Sequence, residues 1–85
     1  MDINSLINEY EKKINSIEED LEIDKIINQL KELQSEHNNN SRLDFILSIF
    51  LIKRKKISEA VINLKKTIEI DNNHYLAHYH LGVIQ

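Results

Sequence analysis

This 85-residue chain predicts an all-α fold of about five helices, paired as antiparallel hairpins and stacked into an α–α superhelix. Two observations carry that expectation. Apolar residues recur throughout at the three-and-four spacing of a helix face, and no alternating run bounded by turn pairs marks a strand.

The second observation is an internal repeat. A shift of thirty-four residues lays Leu43 on Ala77, Phe45 on Tyr79, Leu47 on Leu81, Ser48 on Gly82, Ile49 on Val83 and Phe50 on Ile84. The same shift lays Ile23 on Ile57, Ile27 on Val61, Leu30 on Leu64, Asn38 on Asn72 and Asn39 on Asn73. Apolar meets apolar, and small meets small. A unit of this length cannot bury its apolar face alone, so it must stack on a neighbour.

The elements follow in chain order. Ile3, Ile7, Tyr10, Ile14, Ile17 and Leu21 form one helix face, with Glu and Lys filling the remainder. A second stripe runs through Ile23, Ile26, Ile27, Leu30 and Leu33, and Asp24 is its expected N-cap. Glu36-His37-Asn38-Asn39-Asn40 breaks the pattern as a loop. Ser41 with Asp44 resembles a capping box that opens the third helix. That helix is apolar nearly all round from Phe45 to Ile52, which predicts packing between neighbours. Lys53-Arg54-Lys55-Lys56 closes it, with positive charge at the negative end of the helix dipole. Ser58 is the expected cap of the fourth helix, with Ile57 stapled onto Ile62. Asp71-Asn72-Asn73 ends that helix, and a fifth begins near Tyr75. The fifth runs to Gln85 without a terminating signal, as expected of a longer array or of a helix end covered by another chain.

Composition narrows the function classes. A domain this small buries only about 60–65% of its unfolded surface, so a neighbour or second copy matters to its stability. There is no cysteine, hence no disulfide framework or thiol chemistry, and a reducing, cytoplasmic setting is the expectation. No signal peptide is expected, because the first twenty residues are acidic and lack a long apolar run. The apolar stretch Phe45–Ile52 is far too short to span a membrane. The net charge of −3 is unevenly placed: −6 over residues 1–40 and +3 over residues 41–85. Such asymmetry can steer a partner or another copy.

A thirty-four-residue period in paired helices is similar to the tetratricopeptide repeat, whose first helix carries Trp, Leu-Gly and Tyr and whose second carries Ala, an aromatic and Pro. Over residues 41–74 the Leu is Leu47, the Gly is the small Ser48 and the Ala is Ala60. Leu51 replaces the Tyr, Leu64 the aromatic, Asn72 the Pro and Asp44 the Trp. Over residues 75–85 the Leu-Gly pair stands as Leu81-Gly82, with His78 at the Trp site. Small residues there let two helices approach closely, so Leu47, Ser48, Ala60, Leu64, Leu81 and Gly82 are the expected helix-packing positions. Residues 7–40 look either like a degenerate copy, with Lys13 at the Leu position, or like an independent helix pair or short coiled-coil seam.

The resemblance implies a concave groove lined by the first helices of successive repeats. Carried over, its residues are Arg42, Phe45, Ile49, Ile52 and Lys53, then Leu76, Tyr79 and Val83. Such an apolar groove suits an apolar or amphipathic segment. Alternatively the same side chains are core, covered by the N-terminal helices or by another subunit. Phe45 and Ile49 stand where some family members place residues that grip a C-terminal carboxylate, so that mode of binding is not expected.

Other chemistry is weakly signalled. His74 and His78 are four apart, but no Cys, metalloprotease Glu or evident third ligand accompanies them, and partly exposed histidines are expected. Lys53–Lys56 with Lys65 and Lys66 suits phosphate contact and hence RNA, although a solvated turn is the simpler expectation. The carboxylates of Glu18, Glu19 and Asp20 lack a pocket to shift them. With no nucleophile–base pair, phosphate-cradling loop or cofactor fingerprint, the chain is expected to be non-catalytic and to need no cofactor or metal. Its expected role is protein or peptide binding, with self-association the simplest way to cover Leu81, Val83 and Ile84.

Overall fold

The computed structural model describes residues 2–84 and is all-helical: α1 (Ile3–Lys13), α2 (Asp20–Glu36), α3 (Ser41–Lys53), α4 (Ile57–Ile70) and α5 (Tyr75–Ile84). Two pairs of helix limits fall thirty-four residues apart, whereas the starts of α2 and α4, Asp20 and Ile57, do not. α2 ends at Glu36 and α4 at Ile70, while α3 begins at Ser41 and α5 at Tyr75.

α3 is the centre of the molecule. It packs most extensively on α4, then on α2, and also carries α1. Leu43, Ile46, Leu47, Phe50 and Leu51 are all fully or almost fully buried, as an all-round apolar helix demands. α2 contributes Ile23, Ile26, Ile27 and Leu30, the stripe its spacing predicts, and α1 contributes Ile7 and Tyr10. α4 presents Ala60, Asn63, Leu64 and Thr67 on one face. Its two polar members are satisfied locally: Asn63 Nδ2 donates to the Glu59 carbonyl at 3.0 Å and Thr67 Oγ1 to the Asn63 carbonyl at 2.9 Å. Among the described residues no buried side-chain polar atom lacks a partner, as native interiors require.

Ser48 and Ala60 are both fully buried, on the two helices with the largest mutual contact. The N-terminal pair differs. α1 and α2 each seat their backbones against α3 more than against each other, so they form no tight hairpin. The link between them is a side chain: Tyr10 on α1 donates its hydroxyl to Gln29 Oε1 on α2 at 2.8 Å.

Several helix limits differ from expectation. The first apolar stripe does not continue as one helix, since α1 stops at Lys13 and Ile14, Asn15 and Ser16 turn. Leu21 lies at the start of α2 and is 71% exposed. α2 begins four residues before Asp24, because the acidic run through Asp20 and Glu22 complements the positive helix end. Asp24 is therefore no cap; it sits inside the helix. The cap of α3 is Asn40, whose side chain accepts from the Leu43 amide at 3.0 Å, so Ser41 and Asp44 form no capping box. α4 starts at Ile57 with Lys56 as N-cap, placing Ser58 inside the helix. Ile57 and Ile62 then lie about 140° apart around the axis and remain exposed, which rules out the staple.

The turn between α3 and α4 has a defined cause. Lys56 N–H donates to the Leu51 carbonyl and Lys55 N–H to the Ile52 carbonyl, both at 2.9 Å, the paired bonds of a Schellman ending. Lys55 takes the left-handed position (φ 59°) that glycine usually fills.

Candidate functional site

The eight residues expected to line a groove lie on α3 and α5 but do not behave alike. Phe45, Ile49 and Ile52 are half-buried on α3, and Phe45 and Ile52 pack against the core. Leu76, Tyr79 and Val83 form an outward strip on α5, exposed by 41%, 64% and 64%, with Tyr75 beside them. Because α5 buries only Ala77, most of its apolar surface faces outward.

Arg42 and Lys53 are drawn toward the N-terminal helices. Arg42 Nη2 bonds Asn8 and reaches Glu11 Oε1 at 3.2 Å, tying α3 to α1. Lys53 borders a shallow cavity of about 230 Å³ with Glu18 and Ile23 near the start of α2. Both cations thus lie where acidic residues attract them.

Two imidazoles, one just before α5 and one on it, pack against Phe45 of α3. The His74 ring lies 4.6 Å from Phe45, and the His80 ring lies 5.8 Å from Phe45 and 5.5 Å from Tyr79. His74 also caps α5, its Nδ1 accepting the Ala77 amide at 3.2 Å. His78 Nε2 is 2.9 Å from the Asn72 carbonyl. Sequence reading placed these histidines at a helix start without a role; a cap three residues before Ala77 was the available signal.

Of the expected packing residues, Leu47, Ser48, Ala60 and Leu64 are fully buried. Leu81 is half-buried, and Gly82 is exposed, with nothing within 4 Å of where a Cβ would stand. Gly82 therefore makes no close helix approach in this chain, because no described helix crosses it.

The basic run is partly neutralised. Arg54 Nε donates to Asp24 Oδ1 at 2.8 Å and Nη1 meets Asp20 at 3.2 Å. The Arg54 hydrogen bond holds the Asp24 carboxyl below its ordinary range despite desolvation, and raises the guanidinium in return. Phosphate contact along residues 53–56 would have to compete with that pair.

Sequence reading missed a polar cluster at the junction of α2, α3 and α4. Asp44 is only 5% exposed, and Gln34 Nε2 donates to its Oδ1 at 2.8 Å and to Asn63 Oδ1 at 2.6 Å. Burial pushes the Asp44 carboxyl up, opposed by the Gln34 hydrogen bond and the charge of Lys66. The signal was present: a carboxylate inside a helix that is apolar all round has no solvent face to occupy.

Among the described residues no cluster of three or more His, Cys, Asp or Glu side chains is arranged to hold a metal, and no helix is long and apolar enough to cross a membrane. Comparison with protein-family models, curated proteins and solved structures gives no significant match.

Proposed function

We propose that this chain is a non-catalytic, tetratricopeptide-like module that binds an apolar or amphipathic segment of a partner protein along α3 and α5. The observation that carries the reading is the outward strip Leu76, Tyr79 and Val83 on a helix that buries only Ala77. Strips of this kind on an otherwise satisfied fold mark recognition surfaces. The thirty-four-residue offset between the ends of α2 and α4 and between the starts of α3 and α5, with the buried pair Ser48 and Ala60, supports the repeat reading. The absence of cysteine in the sequence suits a reducing, cytoplasmic setting.

A second reading is homo-oligomerisation, in which a copy of the chain covers α5. The open space at Gly82 favours it, since the family's pattern uses that position for close helix packing.

Selection from a displayed library of amphipathic helical peptides, followed by anisotropy titration, tests the first reading. Tyr79→Glu and Val83→Glu alter exposed positions and leave the core intact, so both should abolish binding while the helical spectrum is unchanged. Equal binding by wild type and variants would overturn it. Sedimentation equilibrium separates the two readings: a concentration-dependent dimer lost in Val83→Glu supports self-association.

A further inference from the structure

A cavity of about 280 Å³ opens between the α2–α3 loop, α3 and α4, lined by Gln34, Asn38, Asn39, Asp44, Lys66, Glu69 and Ile70. It shares no residue with the apolar strip. Asp44 is more than nine-tenths buried, yet only its Oδ1 is engaged, by Gln34 at 2.8 Å. Both amide hydrogens of Gln34 are committed, one to Asp44 and one to Asn63 Oδ1, and Asn63 is anchored in turn to the Glu59 carbonyl. The carboxylate is thereby held in one orientation. Its Oδ2 has no hydrogen bond from the protein, and no buried side-chain polar atom among the described residues is left without a partner. Oδ2 therefore opens onto the cavity that Asp44 lines.

The surroundings define what fits there. Asp44 and Glu69 with Lys66 leave the lining one net negative charge, and Asn38 and Asn39 add amide oxygens. Asn39 holds a left-handed backbone (φ 65°), which Asn tolerates better than most residues and which shapes the rim. Ile70 supplies an apolar wall. Lys66 is exposed and makes no ion pair among the described residues, so its flexible ammonium is a displaceable occupant. A largely buried carboxylate with one oxygen unpaired gains from a cationic donor that can reach it through the cavity.

We propose that this cavity is a binding site for a primary ammonium or guanidinium group on a short aliphatic stem, with Asp44 Oδ2 receiving the cation and Ile70 flanking the stem. The cation is either a free amine or a Lys or Arg side chain of a polypeptide.

Titration of the ¹⁵N-labelled chain with n-butylguanidinium and n-butylammonium chlorides, against sodium chloride at equal ionic strength, provides the test. The side-chain amides of Gln34, Asn38 and Asn39 should shift saturably with either organic cation. N-acetyl-arginine amide separates the sources: binding at least as tight as n-butylguanidinium indicates a polypeptide side chain, and its exclusion indicates a free amine. Asp44→Asn should weaken binding roughly tenfold or more, as expected for loss of a charge-assisted hydrogen bond. Two exposed variants keep the question decidable should Asp44→Asn fail to fold: Glu69→Gln should weaken binding and Lys66→Gln should tighten it. Shifts matched by sodium chloride, or equal affinities for Glu69→Gln, Lys66→Gln and wild type, would overturn the site.

Discussion

Arg54 donates through Nε to Asp24 Oδ1 at 2.8 Å, joining the end of α3 to the first turns of α2 across thirty residues of chain. Its Nη1 adds Asp20 at 3.2 Å. One guanidinium thus ties two acids of the negative N-terminal half to the helix that bears the core. The Asp24 carboxyl is lowered in the folded state, so the stability it contributes is present above the unfolded carboxylate range and is lost as pH falls through the lowered value.

Asp24→Asn should therefore be less stable than wild type at pH 7, with the difference closing below about pH 4 as the native carboxyl protonates. Urea midpoints at several pH values measure this. A gap that persists at pH 2 would mean that the ion pair is not its source.

Lys55→Gly should stabilise the chain. Lys55 occupies the left-handed position of the α3 ending, where a Cβ is unfavourable, so glycine relieves roughly 1 kcal/mol against its own entropic cost. A rise in thermal midpoint checks it. A fall would show that the lysine side chain contributes more than its backbone position costs.

Enlarging Ala60 should be damaging. Ala60 and Ser48 are fully buried on the two helices with the closest association. Ala60→Leu should cost about 1–3 kcal/mol or more through overpacking, read from urea unfolding, whereas Ile62→Leu at an exposed site of the same helix should be nearly neutral.

Removing the cap of α5 should loosen that helix selectively. His74 Nδ1 accepts the Ala77 amide, and the same ring packs on Phe45. His74→Ala should cost about 0.5–2 kcal/mol and speed amide exchange at Ala77. His74→Asp should restore protection at that amide but not the ring contact. Unchanged exchange in His74→Ala would show the carbonyl of residue 74 suffices, since it also accepts from Ala77 at 3.1 Å.

Sequence periodicity by itself determined the helical class, the loops at residues 37–40 and 71–74, and the buried stripes through Ile23–Leu30 and Leu43–Leu51, but not the break between α1 and α2 at residues 14–19. It could do so because burial of an apolar face obeys helix geometry, a local property of the chain. Helix starts were less legible: Asp24 and Ser58 have cap-forming side chains, but an acidic first turn at Asp20 and the Schellman turn at Lys55 set the actual limits. Only the tertiary structure decided which polar groups meet. Asp24 with Arg54, Gln34 with Asp44 and Asn63, and His74 with Phe45 join separate helices. Their partners are chosen by how the helices cross, and crossing depends on side-chain volumes at the contacts, which a spacing pattern does not encode.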